Sequence, residues 1–236
     1  MKKKLAIILP VYNEEMSIEK VIKDWGKILP KAIFDLIVIN DGSKDKTHLV
    51  IEKLKDQIKN LILINKTNQG HGKAICDGYK YAIKNNYKYI FQTDSDGQFF
   101  SSDFVKLWKK KEKVDYDIIL GDRHKRKDPF LRVFLSRFVL RTILKIFFNR
   151  NIIDPNIPYR FISAEFMKDF LRLKPNKFIA PNIIMSLHAK KIFFIKVKHA
   201  KRNYGEIKWP LEKLIKFGLI LLVDLKNYFF ISRKKI

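Results

Sequence analysis

The chain has 236 residues, of which 47% are hydrophobic and 13% aromatic, with 49 Lys and Arg against 24 Asp and Glu. This apolar content is enough for a sizeable core, which excludes wholesale disorder despite the formal net charge of +25. A single cysteine, Cys76, excludes a disulfide framework and a cysteine-based zinc site.

The excess positive charge is unevenly placed along the chain. Residues 1–120 hold 22 Lys and Arg against 16 Asp and Glu, whereas residues 121–236 hold 27 against 8. This asymmetry favours a polyanionic partner, which could be nucleic acid, an anionic membrane face or a phosphorylated substrate. The alternative is a compositional bias toward Lys on every solvated face, although such a bias should affect both halves equally.

The first 120 residues alternate short apolar runs, which predict strands, with stretches of helical periodicity. The predicted strands are Leu5–Leu9, Phe34–Ile39, Leu61–Ile64, Tyr89–Thr93 and Asp117–Leu120, with helices near 15–29, 46–58, 72–85 and 102–113. Strict alternation predicts an α/β fold with an open, mostly parallel sheet and helices on both faces. Ligands bind such sheets outside the carboxyl ends of the strands, so the polar residues that follow each strand are the candidate site.

The second half loses this rhythm. Residues 130–149 are apolar and aromatic, with cations spaced by five, four and four residues, which predicts an amphipathic basic helix. Strands and helices are expected over 158–198. The segment Leu211–Ile231 is strongly apolar, but charged residues interrupt it. Because a spanning helix needs about 20 mainly apolar residues, this segment is expected to lie in a membrane interface. For both helices the alternative is an ordinary core face with a solvated cationic side.

The segment from Asp94 to Gln98 follows the fourth predicted strand and reads Asp-Ser-Asp-Gly-Gln. If the extended backbone continues, Asp94, Asp96 and Gln98 point the same way, because side chains alternate along a strand. Three oxygen ligands on one side suit a hard divalent cation such as Mg²⁺ or Mn²⁺. The alternative is an acidic turn that includes Gly97.

Polar segments also follow the first three predicted strands, at Pro10–Glu14, Asn40–Thr47 and Asn68–Ala74. Carboxylates there could bind a base and ribose, while backbone N–H groups and a lysine could bind phosphate. Each segment alone is weak evidence, since Asp-Gly-Ser is a common turn. Four such segments at one sheet edge predict a nucleotide site.

From Leu5 to about Lys216 the sequence resembles family 2 glycosyltransferases of the GT-A fold, and within them the polyprenyl-phosphate (dolichol-phosphate) mannose and glucose synthases. The matching segments are Pro10–Glu14, Asn40–Ser43, Gly70–Ala74, Asp94–Gln98, Gly121–Arg123, Asp154–Arg160 and Arg202–Lys208. The last segment is the most specific to the polyprenyl-phosphate branch. The sequence departs from the family pattern at Asn40, at 156–159 and at Ile207.

The resemblance implies a division of the chain and a set of site residues. Residues 1–208 would be the catalytic domain, with a nucleotide-sugar-binding half at 1–121 and an acceptor-binding half at 122–208, followed by a membrane-associating helix at 209–236. The implied donor-binding residues are Pro10, Tyr12, Glu14, Asp41, Gly70, Lys73, Asp94, Ser95 and Asp96. Mg²⁺ or Mn²⁺ would be held by Asp94, Asp96 and Gln98. Arg123, Arg160, Arg202 and Lys208 would bind the acceptor phosphate, and Asp154, Arg202 and Arg123 would be catalytic.

The resemblance also implies a reaction and a location. A GDP-mannose or UDP-glucose type donor would lose its sugar, with inversion, to a polyprenyl phosphate at the cytoplasmic face of a membrane, where the protein binds peripherally to the anionic surface. A separate membrane-anchoring protein is a further candidate partner. A phosphate acceptor is already anionic at pH 7, so Asp154 would position it, whereas a hydroxyl acceptor would require Asp154 as the base.

Two alternatives remain open. A peripheral family 2 enzyme could use a hydroxyl of a glycan in cell-surface polysaccharide or lipooligosaccharide synthesis. Nucleic-acid binding is suggested by the charge alone, but no base-reading motif is present and four strand-end clusters would be unexplained, so no nucleic-acid partner is expected. The five histidines lack metal-ligand spacing, and solvated or capping roles are expected for them.

Overall fold

A computed structural model describes residues 4–28, 30, 33–111, 113–123, 134–201 and 211–233. Within these ranges the chain forms one seven-stranded sheet. The strands are β1 (Leu5–Val11), β2 (Phe34–Asp41), β3 (Leu61–Lys66), β4 (Tyr89–Thr93), β5 (Ile118–Arg123), β6 (Tyr159–Ser163) and β7 (Ile192–Val197). Their order across the sheet is β3-β2-β1-β4-β6-β5-β7.

The strand directions bring the polar strand ends to one edge. Strands β1 to β4 are parallel, β6 is antiparallel to both β4 and β5, and β7 is parallel to β5. Strand β5 therefore runs in the same direction as β4, although β6 lies between them. The carboxyl ends of the six parallel strands and the start of β6 thus lie at the same edge, which is where ligands bind in sheets of this kind.

Helices follow most of the strands, as the periodicity predicts. They are α1 (Ile18–Trp25), α2 (Thr47–Lys55), α3 (His71–Lys84), α4 (Ser101–Lys110), α5 (Leu140–Phe148), α6 (Ala164–Leu171), α7 (Pro181–His188) and α8 (Leu211–Arg233). A π-helical segment, Phe134–Val139, leads directly into α5, so the described part of the predicted 130–149 helix is helical in two forms. Residues 130–133 lie outside the described ranges.

Several strands extend further than the apolar runs predict. Strand β2 reaches Asp41 and β3 reaches Lys66, because the parallel ladder continues through polar residues: Asn40 pairs with Asn65, and Asp41 with Lys66. Backbone hydrogen bonds, not side-chain hydrophobicity, define these last ladder positions. The consequence is that Asp41 is the last residue of a strand, and it is almost fully buried.

The core fills both faces of the sheet. Every residue of β1 and β2 is buried, as expected for central parallel strands covered on both sides. Helix α3 approaches β1 closely at Gly78, where an added Cβ would lie 2.5 Å from Cγ2 of Ile8. On β4, the ring of Phe91 contacts the rings of Trp25 on α1 and Tyr159 on β6, with centroid distances of 5.2 and 4.8 Å.

Helix α8 packs one face on the domain. Leu221, Leu225 and Tyr228 are buried, with the carboxylate of Asp224 between them. That carboxylate accepts a hydrogen bond of 2.6 Å from the N–H of Ile179. Among the helices of the described ranges, α8 included, none combines the length and the hydrophobicity that a membrane span requires.

Candidate active site

The loops that follow β1 and β2 are bonded to each other at the sheet edge. The N–H of Asn13 donates to Oγ of Ser43 at 3.0 Å, and the N–H of Lys44 donates to Oδ1 of Asn13 at 2.8 Å. Asn13 has a φ of +52°, a left-handed conformation that Asn tolerates better than most residues. The neighbouring Tyr12 is exposed, and Oε2 of Glu14 accepts a bond from Ser17, so both predicted donor-binding residues stand at this edge.

Asp41 joins β2 to the glycine loop that precedes α3. Its Oδ1 accepts hydrogen bonds of 3.0 Å from the N–H of Gln69 and from Nζ of Lys66, and its Oδ2 accepts a bond of 2.8 Å from the N–H of Gly70. The Asp41 side chain is only 3% exposed. The carboxylate predicted to bind the nucleotide therefore holds the Gly70 loop in its present conformation.

The glycine loop also touches helix α7. An added Cβ at Gly72 would lie 2.9 Å from Cδ of Pro181 and 3.1 Å from the carbonyl oxygen of Ile179, so only glycine fits this approach without displacement. Gly70 has a φ of +95°, which glycine adopts without strain, and it faces open space. Lys73, one turn further on, is exposed. The loop thus presents a backbone turn and a lysine where a phosphate is predicted to bind.

Ser95 ties the ends of β4 and β1 together. Its hydroxyl donates to the carbonyl oxygen of Pro10 at 2.8 Å, and its own carbonyl oxygen accepts a bond from the hydroxyl of Ser17. Ser95 is buried, so its side chain fixes the adjacent backbone. The flanking Asp94 and Asp96 are partly exposed, on either side of this fixed point.

The extended backbone does not continue from β4 to Gln98. The strand ends at Thr93, and Gly97 has a φ of +73°, so the segment turns and the alternation of side chains no longer applies. The amide of Gln98 donates from Nε2 to the carbonyl oxygen of Ala200 at 3.0 Å. The assignment of Gln98 as a third metal ligand stays a prediction, while its amide nitrogen already binds the segment after β7.

The oxygen atoms available at the end of β4 suit a hard metal cation. Asp94 and Asp96 supply carboxylate oxygens, and the Asp94 side chain is 25% exposed. Nε2 of His71 lies 3.5 Å from Oδ1 of Asp94. Over the described ranges no group of three or more His, Cys, Asp or Glu could hold a metal by itself. Two carboxylates that share a cation with substrate phosphates are the usual arrangement for Mg²⁺.

A buried ion pair lies at the end of β5. Nε of Arg123 donates to Oδ2 of Asp154 at 2.7 Å, and Nη2 donates to Oδ1 at 2.9 Å. The two side chains are 7% and 6% exposed. Parallel bonds of this kind fix both planar groups, and they are among the stronger hydrogen bonds in proteins. The structure thus brings together two residues that the sequence predicts to be catalytic.

Arg160 lies on β6, in the strand that follows the turn after Asp154, and is fully buried. Its guanidinium donates to the carbonyl oxygens of Pro155, Ile157 and Asn182, at 2.6, 2.7 and 2.7 Å, and to Oγ of Ser186 at 3.0 Å. Burial lowers its pKa from 12.5 to about 10, so it remains charged at neutral pH. The residue predicted to bind the acceptor phosphate is here bonded to the chain on all sides.

The remaining predicted residues, Arg202 and Lys208, lie outside the described ranges. The chain is described as far as residue 201, and the N–H of Ala200 donates to the carbonyl oxygen of Gln98 at 2.9 Å. The strand-end segment 198–201 is therefore held at the same edge as Asp96.

Four polar residues near the site are absent from the predicted site residues, although His71 lies within the Gly70–Ala74 segment. Nε2 of His71 lies 3.5 Å from Oδ1 of Asp94. Nδ2 of Asn182 donates to Oε1 of Gln92, and the hydroxyl of Ser186 donates to the backbone carbonyl oxygen of Asn182. For Gln92 a signal existed, because a buried strand position with an amide side chain requires a polar partner. Asn182 and Ser186 lie in an otherwise apolar helix, and their partners depend on how α7 docks.

The sequence is similar to known proteins over most of its length. Residues 6–171 match the model of glycosyl transferase family 2. An uncharacterised protein of Methanocaldococcus jannaschii is 37% identical over 170 residues, which are 69% of this chain and 72% of the relative. The undecaprenyl-phosphate 4-deoxy-4-formamido-L-arabinose transferase of Photorhabdus laumondii is 28% identical over 230 residues, 94% of this chain and 68% of that protein.

Solved structures share the fold. Glucosyl-3-phosphoglycerate synthase from Mycobacterium tuberculosis, in complex with Mn²⁺, UDP and glucosyl-3-phosphoglycerate, has a TM-score of 0.67 at 16% identity, over 96% of this chain and 80% of that one. S. aureus TarS in complex with UDP-GlcNAc has a TM-score of 0.63 at 19% identity. That match covers 92% of this chain, which spans only 64% of the TarS chain.

The sheet order and these matches define an α/β transferase of the GT-A fold. The chain belongs to glycosyl transferase family 2, since the family model covers more than two thirds of its length. The prediction made from the sequence motifs, both of family and of fold, is confirmed.

Proposed function

We propose that the protein transfers a sugar from a nucleotide-sugar donor, of the GDP-mannose or UDP-glucose type, to a polyprenyl phosphate at a membrane surface. The observation that carries the proposal is that two clusters of charged side chains lie at the same edge of the sheet. Asp94 and Asp96 lie at the end of β4, and the Arg123–Asp154 pair lies two strands away. Relatives named undecaprenyl-phosphate transferases, which match 94% of the chain, support the choice of acceptor.

On the donor side the residues divide into two kinds. Tyr12 and Lys73 are exposed and can contact the nucleotide sugar directly. Asp41 and Ser95 are buried and bonded to the chain, so they shape the site through the Gly70 loop and the β1–β4 junction. The proposed donor site also includes Pro10, Glu14, Gly70, Asp94 and Asp96.

Asp94 and Asp96 would hold Mg²⁺ or Mn²⁺, with Gln98 as a candidate third ligand through its amide oxygen. The cation, when bound, would neutralise negative charge on the diphosphate leaving group. The structure of glucosyl-3-phosphoglycerate synthase, which has the same fold and was solved with Mn²⁺ and UDP, supports this choice of metal. The chain's own contribution is the rigid placement of the two carboxylates on either side of Ser95.

On the acceptor side the bonding of Asp154 favours a phosphate over a hydroxyl. Both of its carboxylate oxygens already accept hydrogen bonds from Arg123, so neither is well placed to remove a proton. A phosphate oxygen is anionic at pH 7 and needs no base, whereas a sugar hydroxyl does. In the proposed reaction that oxygen attacks the anomeric carbon directly, with inversion. Arg123, Arg202 and Lys208 would then bind the acceptor phosphate.

The surface of the second half supports contact with a membrane. Helix α8 buries the face that carries Leu221, Leu225 and Tyr228, yet the opposite face exposes further apolar side chains. These are Ile215, Leu219, Leu222, Val223 and Phe230 on α8, together with Ile146 and Phe147 on α5. Lysines interrupt this surface, which is the pattern of helices that lie in an anionic interface. We propose peripheral binding at the cytoplasmic face.

The reaction is tested directly by incubating the protein with Mg²⁺ or Mn²⁺, a panel of UDP- and GDP-sugars and a short-chain polyprenyl phosphate. We expect a sugar-phosphate lipid by mass spectrometry, which disappears with EDTA or in Asp96→Ala but persists in Asp24→Ala, a surface carboxylate on α1. Donor hydrolysis without a lipid product would contradict the acceptor assignment and favour a glycan hydroxyl. Turnover unaffected by EDTA would contradict the metal assignment.

Membrane contact is tested by sedimentation with vesicles that contain anionic lipid. Leu219→Glu on α8 is expected to weaken binding to the vesicles. The control is Leu49→Glu on α2, at a leucine of similar exposure, and it should leave binding unchanged. Equal losses in both variants would mean that the effect is one of net charge alone. Absence of binding by the unmodified protein would contradict direct contact and favour a separate membrane-anchoring protein.

A further inference from the structure

The environment of Arg160 differs from that of a substrate-binding arginine. Strand β6 lies between β4 and β5, and Arg160 pairs with Gln92 on one side and Leu120 on the other. Its side chain is fully buried and bonds to three carbonyl oxygens and one hydroxyl. A buried cation is unfavourable unless polar groups replace water around it, and these four acceptors do so.

One arm of this network holds the turn after Asp154. Arg160 donates from Nη2 to the carbonyl oxygen of Pro155 and from Nε to that of Ile157. The hydroxyl of Ser186 on α7 lies 3.0 Å from the same Pro155 oxygen. The N–H of Ile157 in turn donates to the carbonyl oxygen of Asp154. Residues 154–157 are therefore held in place by hydrogen bonds from β6 and α7.

A second arm runs toward the end of β4. Asn182 accepts a bond from Arg160 through its carbonyl oxygen, and its amide Nδ2 lies 3.4 Å from Oε1 of Gln92. Nε2 of Gln92 lies 3.5 Å from Oδ1 of Asp94. These two bonds are long and individually weak, but Gln92 and Asn182 are both buried and so have little access to water. The arm ends on the carboxylate proposed to bind the metal.

We propose that Arg160, Asn182 and Ser186 are positioning residues, which set the Arg123–Asp154 pair in register with Asp94 and do not contact the acceptor. The inference deepens the proposed function and rests on it. It replaces the role predicted for Arg160 from its sequence motif, because a fully buried guanidinium with four protein acceptors has no surface to offer a phosphate. Correct register matters, since a displacement of about 1 Å in a transferase site can cost about 100-fold in rate.

The test uses Ser186→Ala, which removes one acceptor from Arg160 and the hydroxyl that contacts Pro155, and leaves the charge in place. The matched control is Tyr87→Phe, which also removes one buried hydroxyl, bonded to Asp35 at 2.6 Å near the start of β2. We expect Ser186→Ala to lower kcat by about 10- to 100-fold, with the KM for polyprenyl phosphate changed by less than about threefold. Tyr87→Phe should keep kcat within about twofold.

A second readout does not depend on activity. In residues 154–158 the exchangeable amides are those of Asp154, Asn156 and Ile157, because 155 and 158 are prolines. Their hydrogen exchange in the unliganded protein should be faster in Ser186→Ala and unchanged in Tyr87→Phe. Unchanged exchange over 154–158 in Ser186→Ala would overturn the positioning role, whatever the activity. A rise in the KM for polyprenyl phosphate with kcat preserved would also overturn it, because it would show a direct contribution to acceptor binding.

The two proposals fail in different ways. If no polyprenyl phosphate is glycosylated by the unmodified protein, the proposed function fails, while faster exchange over 154–158 in Ser186→Ala would still establish that the network holds the turn after Asp154. If the unmodified protein is active but Ser186→Ala matches it in both kcat and exchange, the network has no positioning role.

Discussion

Arg123 and Asp154 form a buried, bidentate ion pair with bond lengths of 2.7 and 2.9 Å, although 31 positions separate them in the chain. Arg123 ends β5, whereas Asp154 begins the turn that leads into β6, so the pair joins two antiparallel neighbours at the sheet edge. The pair fixes the position of one positive and one negative charge relative to the carboxylates of Asp94 and Asp96. It is both a structural bond and the centre of the proposed acceptor site.

Breaking this pair should destabilise the protein more than removing it as a whole. Asp154→Leu or Arg123→Met alone removes the bidentate bonds to a buried charge, which typically costs about 3 to 5 kcal/mol. The double variant removes both charges, and its free energy of unfolding should be reduced by clearly less than the sum. Chemical denaturation of the three variants measures this coupling, and sugar transfer should be lost in all of them. Additive losses would contradict the bidentate pair.

Asp41→Asn should weaken donor binding by loosening the glycine loop. Asn keeps one acceptor oxygen but presents an amide N–H₂ toward one of the N–H donors of Gln69 and Gly70. We expect the donor dissociation constant to rise about 10- to 100-fold, because a lost charged hydrogen bond is worth about 1.5 to 3 kcal/mol. Titration calorimetry with the nucleoside diphosphate measures this dissociation constant.

The matched control for that change is Asp117→Asn. Oδ2 of Asp117 also accepts two backbone bonds, from Lys190 and Lys191, but it lies at the start of β5, at the opposite edge of the sheet. Its substitution should lower stability without changing donor binding. Equal effects of both variants on the dissociation constant would indicate that global destabilisation, and not the Gly70 loop, is responsible.

The sequence predicts the elements that local patterns define. Alternating apolar runs gave β1 to β4, and the motifs at their ends gave Asp41, Gly70 and Asp94 at one edge, because parallel strands necessarily end together. The same motifs indicate the family, and the match to the family model confirms it. These features depend only on nearby residues or on a repeated topology.

What the sequence does not predict depends on distant pairing. Strand β6 inserts antiparallel between β4 and β5, and that register buries Arg160 against Gln92. A motif gives the identity of Arg160 but not the direction in which its side chain points. Likewise, alternation assumes an extended chain, and the positive φ of Gly97 turns the backbone before Gln98. The motif thus assigns Arg160 to a phosphate, whereas its guanidinium nitrogens bond to the protein. For Gln98, Nε2 bonds to Ala200, and the metal assignment of its amide oxygen stays a prediction.

Two glycines of helix α3 separate loop placement from core packing. Gly72→Ala would place Cβ against Pro181 and the Ile179 oxygen, and should push the glycine loop off α7, raising the donor KM several-fold. Gly78→Ala would place Cβ 2.5 Å from Ile8 and should cost about 1 to 3 kcal/mol of stability by overpacking, with the donor KM little changed. Steady-state kinetics and thermal unfolding distinguish the two, and an unchanged KM in Gly72→Ala would contradict the contact.

Asp224 should make the packing of helix α8 dependent on pH. Burial raises the pKa of this carboxyl above its ordinary value of 3.8, while the bond from the N–H of Ile179 acts in the opposite direction. As pH rises through 3.8, the unfolded chain ionises first, so the folded state loses relative stability until its own raised pKa is passed. Asp224→Asn keeps an oxygen for the Ile179 bond and cannot ionise.

We therefore expect the stability advantage of Asp224→Asn over the unmodified protein to be small at pH 4 and to grow toward pH 7, as measured by chemical denaturation across that range. Glu212→Gln, on an exposed residue at the start of the same helix, is the control and should stay within about 0.5 kcal/mol at every pH. An advantage that shrinks as pH rises would mean that the Ile179 bond outweighs burial, and that the charged carboxylate stabilises the attachment of α8 to the domain.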